Sequence, residues 1–534
     1  MTPLTESYCP APAGPPVRET TVGGVLREQA AKTPDAVALV EAGMNAELGR
    51  SWTYAELLAD AERLAHALLT RYAPGERICV WAPNIPEWVI AEFAMGLAGL
   101  TLVTANPAYR PRELKFVLEQ SRSVGLFIVK EYRGNPMAEI AAEVAAGVKG
   151  LREVIDMEDR AALFDYAGPR LRLPDVSPTD PAQVQYTSGT TGFPKGAVLH
   201  HLGLTNNARF TMGCAGVGPG DTLLNFMPMF HTSGCACATL GAVQHGARMI
   251  ICKLFEPNRM LDLMEAEGGQ LLFGVPTMLT AMTEAQGAQP RDLKVRMALS
   301  GGSMVPPELI RKINTLFGCP FQVVYGQTES SPVVTQVTGE DSFDDACNTV
   351  GRPSAHTEIS IRDPGTNVVV PIGAVGEICA RGYCVMLGYN DNPEATAAAI
   401  DADGWLHTGD LGTLDERGYV RVTGRVKEMI IRGGENLFPA EIENVLLEHR
   451  DVAEVAVVGV PDERWGETVA CFVRLAAGAT LDRNALIAHC RAHLAPQKTP
   501  AQWIEVTEWP LTGSGKIQKF VLRDQLAAGE LQPA

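Results

Sequence analysis

The sequence lacks the features that would direct the protein to a membrane or out of the cell. Its first fifteen residues contain no basic start followed by an apolar run, so no secretory signal peptide is predicted. No apolar stretch reaches the length of about 20 residues that a membrane-spanning helix needs. We therefore expect a cytoplasmic protein with no transmembrane segment.

Positive charge is also scarce. The chain has 45 Lys and Arg residues against 62 Asp and Glu residues, which gives a formal net charge of −17. A nucleic-acid-binding protein neutralises phosphates with an excess of cations, so we expect no nucleic acid partner. A small phosphorylated ligand is still compatible with this charge, because local backbone N–H groups and a few lysines can hold it.

The cysteines are not spaced for zinc or for a disulfide framework. The twelve cysteines are scattered, no C-x-x-C pair occurs, and only Cys235 and Cys237 lie close together. This pattern is typical of reduced thiols packed in an intracellular core. With 534 residues, 46% of them hydrophobic, the chain is long enough for more than one globular domain.

Strand-like runs alternate with helical patterns from about residue 77 to 128 and again from 248 to 326. Several helical patterns begin at a proline, as at Pro111, Pro257 and Pro276, and proline is favoured in the first turn of a helix. The alternation predicts parallel βαβ units. The expected fold class is therefore α/β, with two doubly wound α/β subdomains in a large N-terminal domain.

The pattern changes in the last third of the chain. After about residue 341, short strands separated by Gly and Pro predict a small β-barrel-like subdomain. The remaining strands and helices predict a small mobile α+β domain. We predict an N-terminal domain over residues 1–424, a hinge at 425–428 and a C-terminal lid domain at 429–534. The Pro-rich N-terminal dozen is expected to be loosely ordered.

The most informative segment is the loop YTSGTTGFPKGA at residues 186–197. Its glycines let the backbone approach a ligand, its hydroxyl groups donate hydrogen bonds, and Lys195 adds a positive charge. Such a loop is suited to anionic oxygens. A Walker P-loop is excluded, because that motif needs Ser or Thr after the lysine and this chain has Gly196. A flexible polar linker is the simpler alternative, but the flanking apolar runs disfavour it.

This loop resembles the phosphate-binding signature of the adenylate-forming superfamily of acyl-CoA synthetases, adenylation domains and luciferases. Other segments match that superfamily in the expected order: FHTSG at 230–234, LSGG at 299–302, YGQTE at 325–329, HTGD at 407–410, GRVKEMIIRGGENLFPAEIE at 424–443 and PLTGSGKIQK at 510–519. The resemblance implies an ATP-dependent acid–CoA ligase that uses ATP, Mg²⁺ and coenzyme A. Such an enzyme forms an acyl-adenylate with release of pyrophosphate, then transfers the acyl group to CoA with release of AMP.

The resemblance also implies which residues contact the nucleotide. The expected ATP and AMP contacts are Thr187, Ser188, Gly189, Thr190, Thr191, Gly192, Lys195, Gly301, Tyr325, Gly326, Gln327, Thr328, Asp410, Arg425 and Lys516. Glu329 is the expected Mg²⁺ ligand, since Mg²⁺ prefers carboxylate oxygens. Tyr325 offers a flat surface for the adenine ring. Asp410 follows the run Trp405–Thr408, which is predicted as the end of a strand, and its carboxylate is expected at the ribose hydroxyls. Arg425 is expected at the same ribose or at a phosphate.

Four residues are expected to take part in catalysis: Lys516, Glu329, Thr187 and His231. Lys516 lies on a glycine-rich loop near the C-terminus and would neutralise charge that grows in the transition state. His231 is equally compatible with a packed structural residue and with a gate at the substrate carboxylate.

The resemblance further implies that two orientations of the lid serve the two half-reactions. Lys427 occupies the position at which the lid pivots in this superfamily. A pivot is needed because the catalytic lysine must leave the site before a thiol can arrive. Gly433 and Gly434 are expected to line the channel for the pantetheine arm of CoA, where side chains would obstruct a narrow tunnel.

The acyl pocket is expected around His231, Val275, Gly302 and Val333. Val275, Gly302 and Val333 are apolar or small, which favours a hydrophobic acid such as a fatty acid over an amino acid, whose ammonium group would need a carboxylate partner. The sequence leaves open the length of the acyl chain, the choice of alkyl or aryl acid, and whether the protein forms a homodimer.

Two other functions are open at this point. A stand-alone adenylating enzyme would load the phosphopantetheine of a carrier protein instead of free CoA. A catalytically silent relative would serve as a binding or scaffold protein. The presence of Glu329, Asp410, Arg425 and Lys516 argues against the silent relative.

Overall fold

The computed structural model of the protein describes residues 3–43, 47–187, 194–433, 435–476, 478–511 and 517–533. The chain divides into two compact units. Unit 1 comprises Met1–Tyr8, Ser360–Cys379 and Thr408–Ala534, and unit 2 comprises Cys9–Ile359 and Ala380–His407.

The described residues form strands and helices in the following chain order. The strands are β1 (Tyr8–Cys9), β2 (Val37–Ala42), β3 (Leu48–Thr53), β4 (Arg77–Trp81), β5 (Thr101–Thr104), β6 (Gly125–Ile128), β7 (Glu153–Asp156), β8 (Pro181–Thr187), β9 (Lys195–His200), β10 (Thr222–Asn225), β11 (Arg248–Cys252), β12 (Gly269–Phe273), β13 (Met297–Gly301), β14 (Phe321–Gly326), β15 (Val333–Gln336), β16 (Arg352–Pro353), β17 (Thr357–Arg362), β18 (Gly376–Gly382), β19 (Gly388–Tyr389), β20 (Leu406–Leu414), β21 (Val420–Arg425), β22 (Ile430–Arg432), β23 (Glu435–Leu437), β24 (Val452–Asp462), β25 (Gly466–Leu475) and β26 (Gln502–Glu505). The α-helices are α1 (Val22–Lys32), α2 (Tyr54–Leu69), α3 (Pro86–Ala98), α4 (Pro111–Ser121), α5 (Met137–Ala145), α6 (His201–Cys214), α7 (Gly241–Gln244), α8 (Pro257–Glu267), α9 (Pro276–Ala288), α10 (Pro307–Phe317), α11 (Phe343–Asn348), α12 (Pro393–Ala399), α13 (Pro439–Leu447), α14 (Arg483–His493) and α15 (Lys519–Ala527).

Unit 2 contains two large sheets. The first has seven strands in the order β19-β9-β8-β5-β4-β6-β7. Strands β4 to β8 run parallel, whereas β9 pairs with β8, and β19 with β9, in antiparallel fashion. The core strands are almost continuously apolar, as expected for parallel strands that are covered on both faces.

The second sheet of unit 2 has nine strands in the order β16-β15-β14-β13-β12-β10-β11-β2-β3. Its six central strands are parallel, and antiparallel strands complete both edges. The two parallel sheets confirm the prediction of two doubly wound α/β subdomains. Their parallel strands matter for function, because ligands of such sheets bind beyond the carboxyl ends of the strands.

Local chemistry explains where the helices of unit 2 begin and end. Prolines stand in the first turn of α3, α4, α8, α9 and α10, where a missing backbone N–H is tolerated. Helix α3 ends at Gly99, whose φ of 65° is readily adopted only without a Cβ atom. All 13 residues of α3 are buried. Within the described ranges, no helix combines the length and the apolar character needed to cross a membrane.

Unit 1 contains most of a five-stranded sheet and a smaller α+β region. The first sheet has the order β1-β17-β18-β20-β21, and the second has the order β23-β22-β25-β24 with β26 beside β25. In the second region, the long β24–β25 hairpin packs apolar residues on both faces. One face is built around Trp503 and the other around Phe472. Helices α13 and α14 belong to this region and confirm the predicted α+β architecture.

The N-terminal segment is better ordered than its composition suggested. In unit 1 the hydroxyl of Ser7 donates to the carbonyl of Pro371 at 2.8 Å. In unit 2 the backbone N–H of His356 donates to the carbonyl of Pro12 at 3.0 Å. The expectation of a loosely ordered N-terminal dozen was therefore wrong for the described residues, because long-range backbone hydrogen bonds hold the proline-rich chain.

Helix α3 offers a test of this packing. Phe93 is 0% exposed in the main apolar cluster of unit 2, whereas Phe343 is 44% exposed. Phe93→Ala should lower the free energy of unfolding by about 3–5 kcal/mol through the cavity it leaves. Phe343→Ala should change it by about 0.5 kcal/mol or less. Urea unfolding followed by circular dichroism measures both, and equal shifts would contradict the burial of α3.

Candidate active site

The base of the glycine-rich loop is an antiparallel hairpin. Thr187 ends β8 and pairs with Lys195, the first residue of β9, and Tyr186 pairs with Gly196. Thr187 and Lys195 are both half-buried. The hairpin therefore presents them at the carboxyl end of a parallel strand, where ligand sites of such sheets lie. The predicted contacts Ser188, Gly189, Thr190, Thr191 and Gly192 lie outside the described residues.

Glu329 lies in a short 3-10 helix, Thr328–Ser330, directly after β14. It is 7% exposed, so it is not a solvated glutamate at the end of a strand. Its backbone carbonyl accepts a hydrogen bond from the N–H of Met386 at 2.8 Å. Its Oε1 accepts a hydrogen bond from the hydroxyl of Tyr389 at 2.7 Å. A buried carboxylate is costly without such partners, so this position is specifically built for one.

Tyr389 contacts both the acid and the lysine of the predicted phosphate site. Besides its hydrogen bond to Glu329, its ring centroid lies 4.8 Å from the Nζ atom of Lys195. Burial and the nearby charge of Glu329 raise the pKa of the Tyr389 hydroxyl, so this group stays protonated and acts as a donor. Tyr389 was not predicted from the sequence, because it belongs to none of the matched motifs.

Other predicted residues follow the carboxyl ends of neighbouring strands in the nine-stranded sheet. His231 follows β10, Val275 follows β12, Gly301 ends β13, and Tyr325 lies near the end of β14. Since these strands are parallel neighbours, the residues lie along one edge of the sheet. The same edge continues with Gly302, Gly326, Gln327 and Thr328, and β15 then begins with the buried Val333.

Two of the predicted glycines also have a packing role. A Cβ atom on Gly301 would overlap the carbonyl oxygen of Val324, and one on Gly326 would overlap the carbonyl oxygen of Pro332. Side chains at these positions would therefore push neighbouring backbone segments apart. Close packing of the backbone at this edge therefore explains both glycines, whether or not they also contact a nucleotide.

His231 lies at the entrance to a π-helix, Ser233–Leu240. Its Nδ1 accepts a hydrogen bond from the backbone N–H of Ser233 at 3.2 Å and lies 3.0 Å from the hydroxyl of Ser233. One ring nitrogen is thus used in a local turn. π-Helical turns occur frequently at functional sites, so this geometry is compatible with both interpretations of His231.

In unit 1, strand pairing brings Asp410 and Arg425 together. They are register partners between β20 and β21, and the Nε of Arg425 donates to the Oδ1 of Asp410 at 2.7 Å. The Asp410 side chain is 9% exposed and that of Arg425 is 45% exposed. Asp410 was expected just after the end of a strand, but it lies inside β20, because pairing with β21 extends that strand to Leu414.

The predicted hinge lies directly after β21. Lys427 is exposed in the short 3-10 helix Val426–Glu428. The Nζ atom of Lys519 forms two ion pairs. It lies 3.1 Å from a carboxylate oxygen of Glu428, the residue after Lys427, and 2.7 Å from one of Glu443. Burial alone would lower the pKa of Lys519, but the two carboxylates outweigh it, and the pKa is raised. Lys519 is therefore a half-buried cation that ties the start of α15 to Glu428 of the predicted hinge.

The catalytic lysine expected from the resemblance, Lys516, lies outside the described residues. The chain on either side of residues 512–516 is described. Leu511 forms a β-bridge with Ile517, and the N–H of Gln518 donates to the carbonyl of Pro510 at 2.8 Å. The two ends of this glycine-rich segment are therefore held side by side.

Gly433 lies in a turn whose geometry requires glycine. Its φ is 61°, and a Cβ atom would clash with the ring of Trp465. Its N–H donates to the carbonyl of Trp465 at 2.7 Å. The guanidinium groups of Arg432 and Arg464 lie 5.0 and 4.7 Å from the ring centroid of Trp465. Gly434, the second predicted channel residue, lies outside the described residues.

A buried polar network in unit 2 links β8, the first strand of the glycine-rich hairpin, to the π-helix. Glu92 of α3 accepts a hydrogen bond from Gln183, and Gln185 donates to Gln183, both at 2.7 Å. Gln185 also donates to the Sγ of Cys235 at 3.1 Å. Burial raises the pKa of Glu92 well above its ordinary value, and the hydrogen bond from Gln183 only partly opposes this. The carboxyl group of Glu92 therefore holds its proton more firmly than an exposed glutamate does.

The described geometry is an α/β fold with an acid and a lysine that contact the same tyrosine. The carboxylate of Glu329 fits Mg²⁺, which binds through one or two carboxylates together with substrate phosphates. The ammonium of Lys195 is a cation of the kind that phosphate oxygens attract.

Comparison with known proteins identifies the class. Residues 26–390 match the family model of the AMP-binding enzymes, and residues 441–516 match the model of the AMP-binding enzyme C-terminal domain. The chain therefore belongs to the AMP-binding enzyme family, within the acyl-CoA synthetase branch of the adenylate-forming superfamily. It is an acid–thiol ligase that uses ATP and CoA.

Individual relatives agree with this assignment. The medium-chain acyl-CoA ligase ACSF2, mitochondrial, of Bos taurus is 36% identical over 97% of this chain and 90% of its own length. The o-succinylbenzoate CoA synthetase MenE of Bacillus subtilis, solved with the acyl-adenylate OSB-AMP, is 28% identical with a TM-score of 0.83 over 95% of this chain and 98% of its own. ATP-bound MatB of Rhodopseudomonas palustris is 29% identical with a TM-score of 0.84 over 95% of this chain and 99% of its own.

The raised pKa of Glu92 gives a prediction on the pH dependence of stability. Because the pKa of this acid is raised in the folded protein, the folded state binds more protons than the unfolded state above the ordinary value of 4.5. The contribution of Glu92 to stability therefore falls as pH rises above that value. Glu92→Gln keeps the shape without a titrating group, so it should raise the melting temperature more at pH 8 than at pH 5. A pH-independent difference between mutant and wild type, measured by calorimetry, would contradict the raised pKa of this buried acid.

Proposed function

We propose that the protein is an AMP-forming acid–CoA ligase for an apolar carboxylic acid such as a fatty acid. The observation that supports the phosphate site is the contact of Tyr389 with both Glu329 and Lys195. This contact joins the glycine-rich hairpin of one sheet to the acid at the edge of the other. An acid and a cation held together in this way are suited to an ATP·Mg²⁺ complex.

In the first half-reaction, an oxygen of the substrate carboxylate attacks the α-phosphorus of ATP. The bond from that phosphorus to the bridging oxygen breaks, and pyrophosphate leaves. Thr187, Lys195 and the hydroxyls of the intervening loop bind the phosphate oxygens. Mg²⁺, when bound at Glu329, neutralises charge on those oxygens. Lys516 neutralises charge that grows at the carboxylate and the α-phosphate.

The proposed contacts with the nucleoside fall into two groups. Tyr325 offers its half-buried ring to adenine, beside Gly301, Gly326 and the backbone of residues 327–328. Asp410 accepts hydrogen bonds from the ribose hydroxyls. The bond from Arg425 to Asp410 orients that carboxylate for the purpose.

In the second half-reaction, the CoA thiolate attacks the acyl carbonyl carbon. The bond from that carbon to the phosphate oxygen breaks, and AMP leaves. Lys427 is the hinge about which the lid turns, and Gly433 and Gly434 line the channel for the pantetheine arm. Trp465, flanked by Arg432 and Arg464, lies beside Gly433. Two guanidinium groups and an aromatic surface suit the anionic nucleotide of free CoA, which a carrier-bound phosphopantetheine lacks.

The acyl pocket is proposed around His231, Val275, Gly302 and Val333. Val275 and Val333 are apolar, and none of these four residues provides a carboxylate for a substrate ammonium group. The relative named as a medium-chain acyl-CoA ligase makes medium-chain fatty acids the first candidates. The alternative is a stand-alone enzyme that loads the phosphopantetheine of a carrier protein.

Pyrophosphate release with a panel of acids tests the proposed function. The purified protein is incubated with ATP, Mg²⁺ and short-, medium- and long-chain fatty acids, aryl acids and amino acids. We expect release with apolar acids and little with amino acids. AMP formation with free CoA should exceed that with a phosphopantetheinylated carrier protein. Failure of every acid would refute the proposal, and preference for the carrier would favour the alternative.

Lys516→Ala should separate the two half-reactions. Without the ammonium group, adenylation should slow by about a hundredfold or more, because the developing charge loses its partner. Thioester formation from a supplied acyl-adenylate and CoA should remain close to wild type. Stopped-flow or quench measurements of each half-reaction check this, with Lys149→Ala as the exposed-lysine control. Equal loss in both half-reactions would show that Lys516 has a different role.

A further inference from the structure

We propose that Tyr389 is a positioning residue that holds the carboxylate of Glu329 and the ammonium of Lys195 in one fixed arrangement. Its hydroxyl orients the acid, and its ring face orients the lysine. This inference rests on the proposed function and adds to it a residue outside the matched motifs.

The backbone of Tyr389 is fixed to the strand that begins with Lys195. In the pairing of β19 with β9, Gly388 faces Val198 and Tyr389 faces Ala197. The N–H of Asn390 donates to the carbonyl of Gly196 at 2.7 Å. The backbone of Tyr389 is therefore fixed relative to the residues that follow Lys195.

The position of Tyr389 is also held from its own side of the chain. Its N–H donates to the hydroxyl of Thr396, in α12, at 2.9 Å. Thr396 in turn donates to the carbonyl of Asn392 at 2.8 Å. The backbone that carries the ring is therefore held by hydrogen bonds on both sides, as a positioning residue requires.

Glu329 is held at two points by the same short segment. Its carbonyl accepts from the N–H of Met386, and its Oε1 accepts from the hydroxyl of Tyr389. An ionised carboxylate has two oxygens with lone pairs, so one oxygen can accept from Tyr389 while the other is an acceptor for a cation. Such outer contacts set the orientation of a metal ligand and strengthen metal binding.

The two parts of the Tyr389 side chain have separate partners. The hydroxyl contacts the anion, whereas the ring lies 4.8 Å from the Nζ of Lys195. An aromatic face attracts a cation through its quadrupole, and phenylalanine keeps this face. Two substitutions can therefore separate the effect on the acid from the effect on the lysine.

The experiment compares Tyr389→Phe and Tyr389→Leu with wild type. Mn²⁺ serves as the spectroscopic probe, and its binding is titrated by electron paramagnetic resonance in the presence of α,β-methylene-ATP. Tyr389→Phe should weaken Mn²⁺ binding by about tenfold or more, because the oriented carboxylate loses its donor. Affinity for the ATP analogue at saturating Mn²⁺, measured by calorimetry, should stay close to wild type in the Phe variant and fall in the Leu variant.

Tyr132→Phe is the matched control. The hydroxyl of Tyr132 donates to the carbonyl of Lys253 at 3.3 Å, so this variant also removes one half-buried tyrosine hydroxyl from unit 2. It should leave Mn²⁺ binding unchanged. Circular dichroism confirms that each variant is folded, and if the Leu variant does not fold, the Phe variant still tests the contact with Glu329.

The outcomes distinguish this inference from the proposed function. If wild type binds Mn²⁺ with the ATP analogue and releases pyrophosphate, but a folded Tyr389→Phe variant binds Mn²⁺ as tightly, the positioning role is refuted. Equal affinity of the Phe and Leu variants for the analogue would refute the contact with Lys195. Wild type that binds neither Mn²⁺ nor the analogue would refute the proposed function itself.

Discussion

The site depends on one constraint, which is that two parallel sheets must present their carboxyl edges to the same small volume. Each sheet alone offers only part of the proposed phosphate site. The seven-stranded sheet ends in the hairpin with Thr187 and Lys195, and the nine-stranded sheet leads into Glu329. Strand β19 connects the two parts, because it pairs with β9 and places the hydroxyl of Tyr389 against Glu329. The acid and the lysine are thereby parts of one folded unit.

Local partners, and not the overall charge, decide which groups in this protein are ionised. The chain carries a net charge of −17, yet the proposed substrate is a polyanion. Lys519 is half-buried, and the two carboxylates beside it raise the pKa of its ammonium group. Glu92 is fully buried and has only an amide donor, so burial raises the pKa of its carboxyl group. An anionic ligand can therefore bind where a few donors converge, although its approach is not assisted by the field of the whole protein.

The sequence predicts those features of the fold that depend on neighbouring residues. Prolines in the first turn and short apolar runs are local signals, and the parallel strands and helices of unit 2 follow them. Asp410 was misplaced because the length of β20 is set by pairing with β21, which is not a local property. The N-terminal segment was judged on composition alone, and its order comes from a partner as distant as His356.

The limits of prediction are the same for the site. The residues of continuous motifs could be named, since glycines, hydroxyls and charges at fixed spacing have a chemical meaning of their own. Tyr389 could not, because its role arises only when residues 60 positions apart meet. Its sequence surroundings, a glycine before and an asparagine after, are typical of any turn. A tyrosine is recognised as part of an ionic site only when its hydroxyl and its ring are seen to face opposite charges.

The arrangement in unit 1 bears on how nucleotide binding and lid rotation are connected in the proposed cycle. Arg425 is the last residue of β21, and Lys427, the proposed hinge, is two residues further on. The hydrogen bond from Arg425 to Asp410 fixes the end of this strand. On the other side of the hinge, Glu428 is tied to Lys519, which closely follows Lys516. A rotation at Lys427 would therefore leave Asp410 with its strand while Lys519 turns with Glu428. Residues 426 and 427 lie between two restrained residues, Arg425 and Glu428, and a few residues of this kind can absorb the backbone change of a hinge.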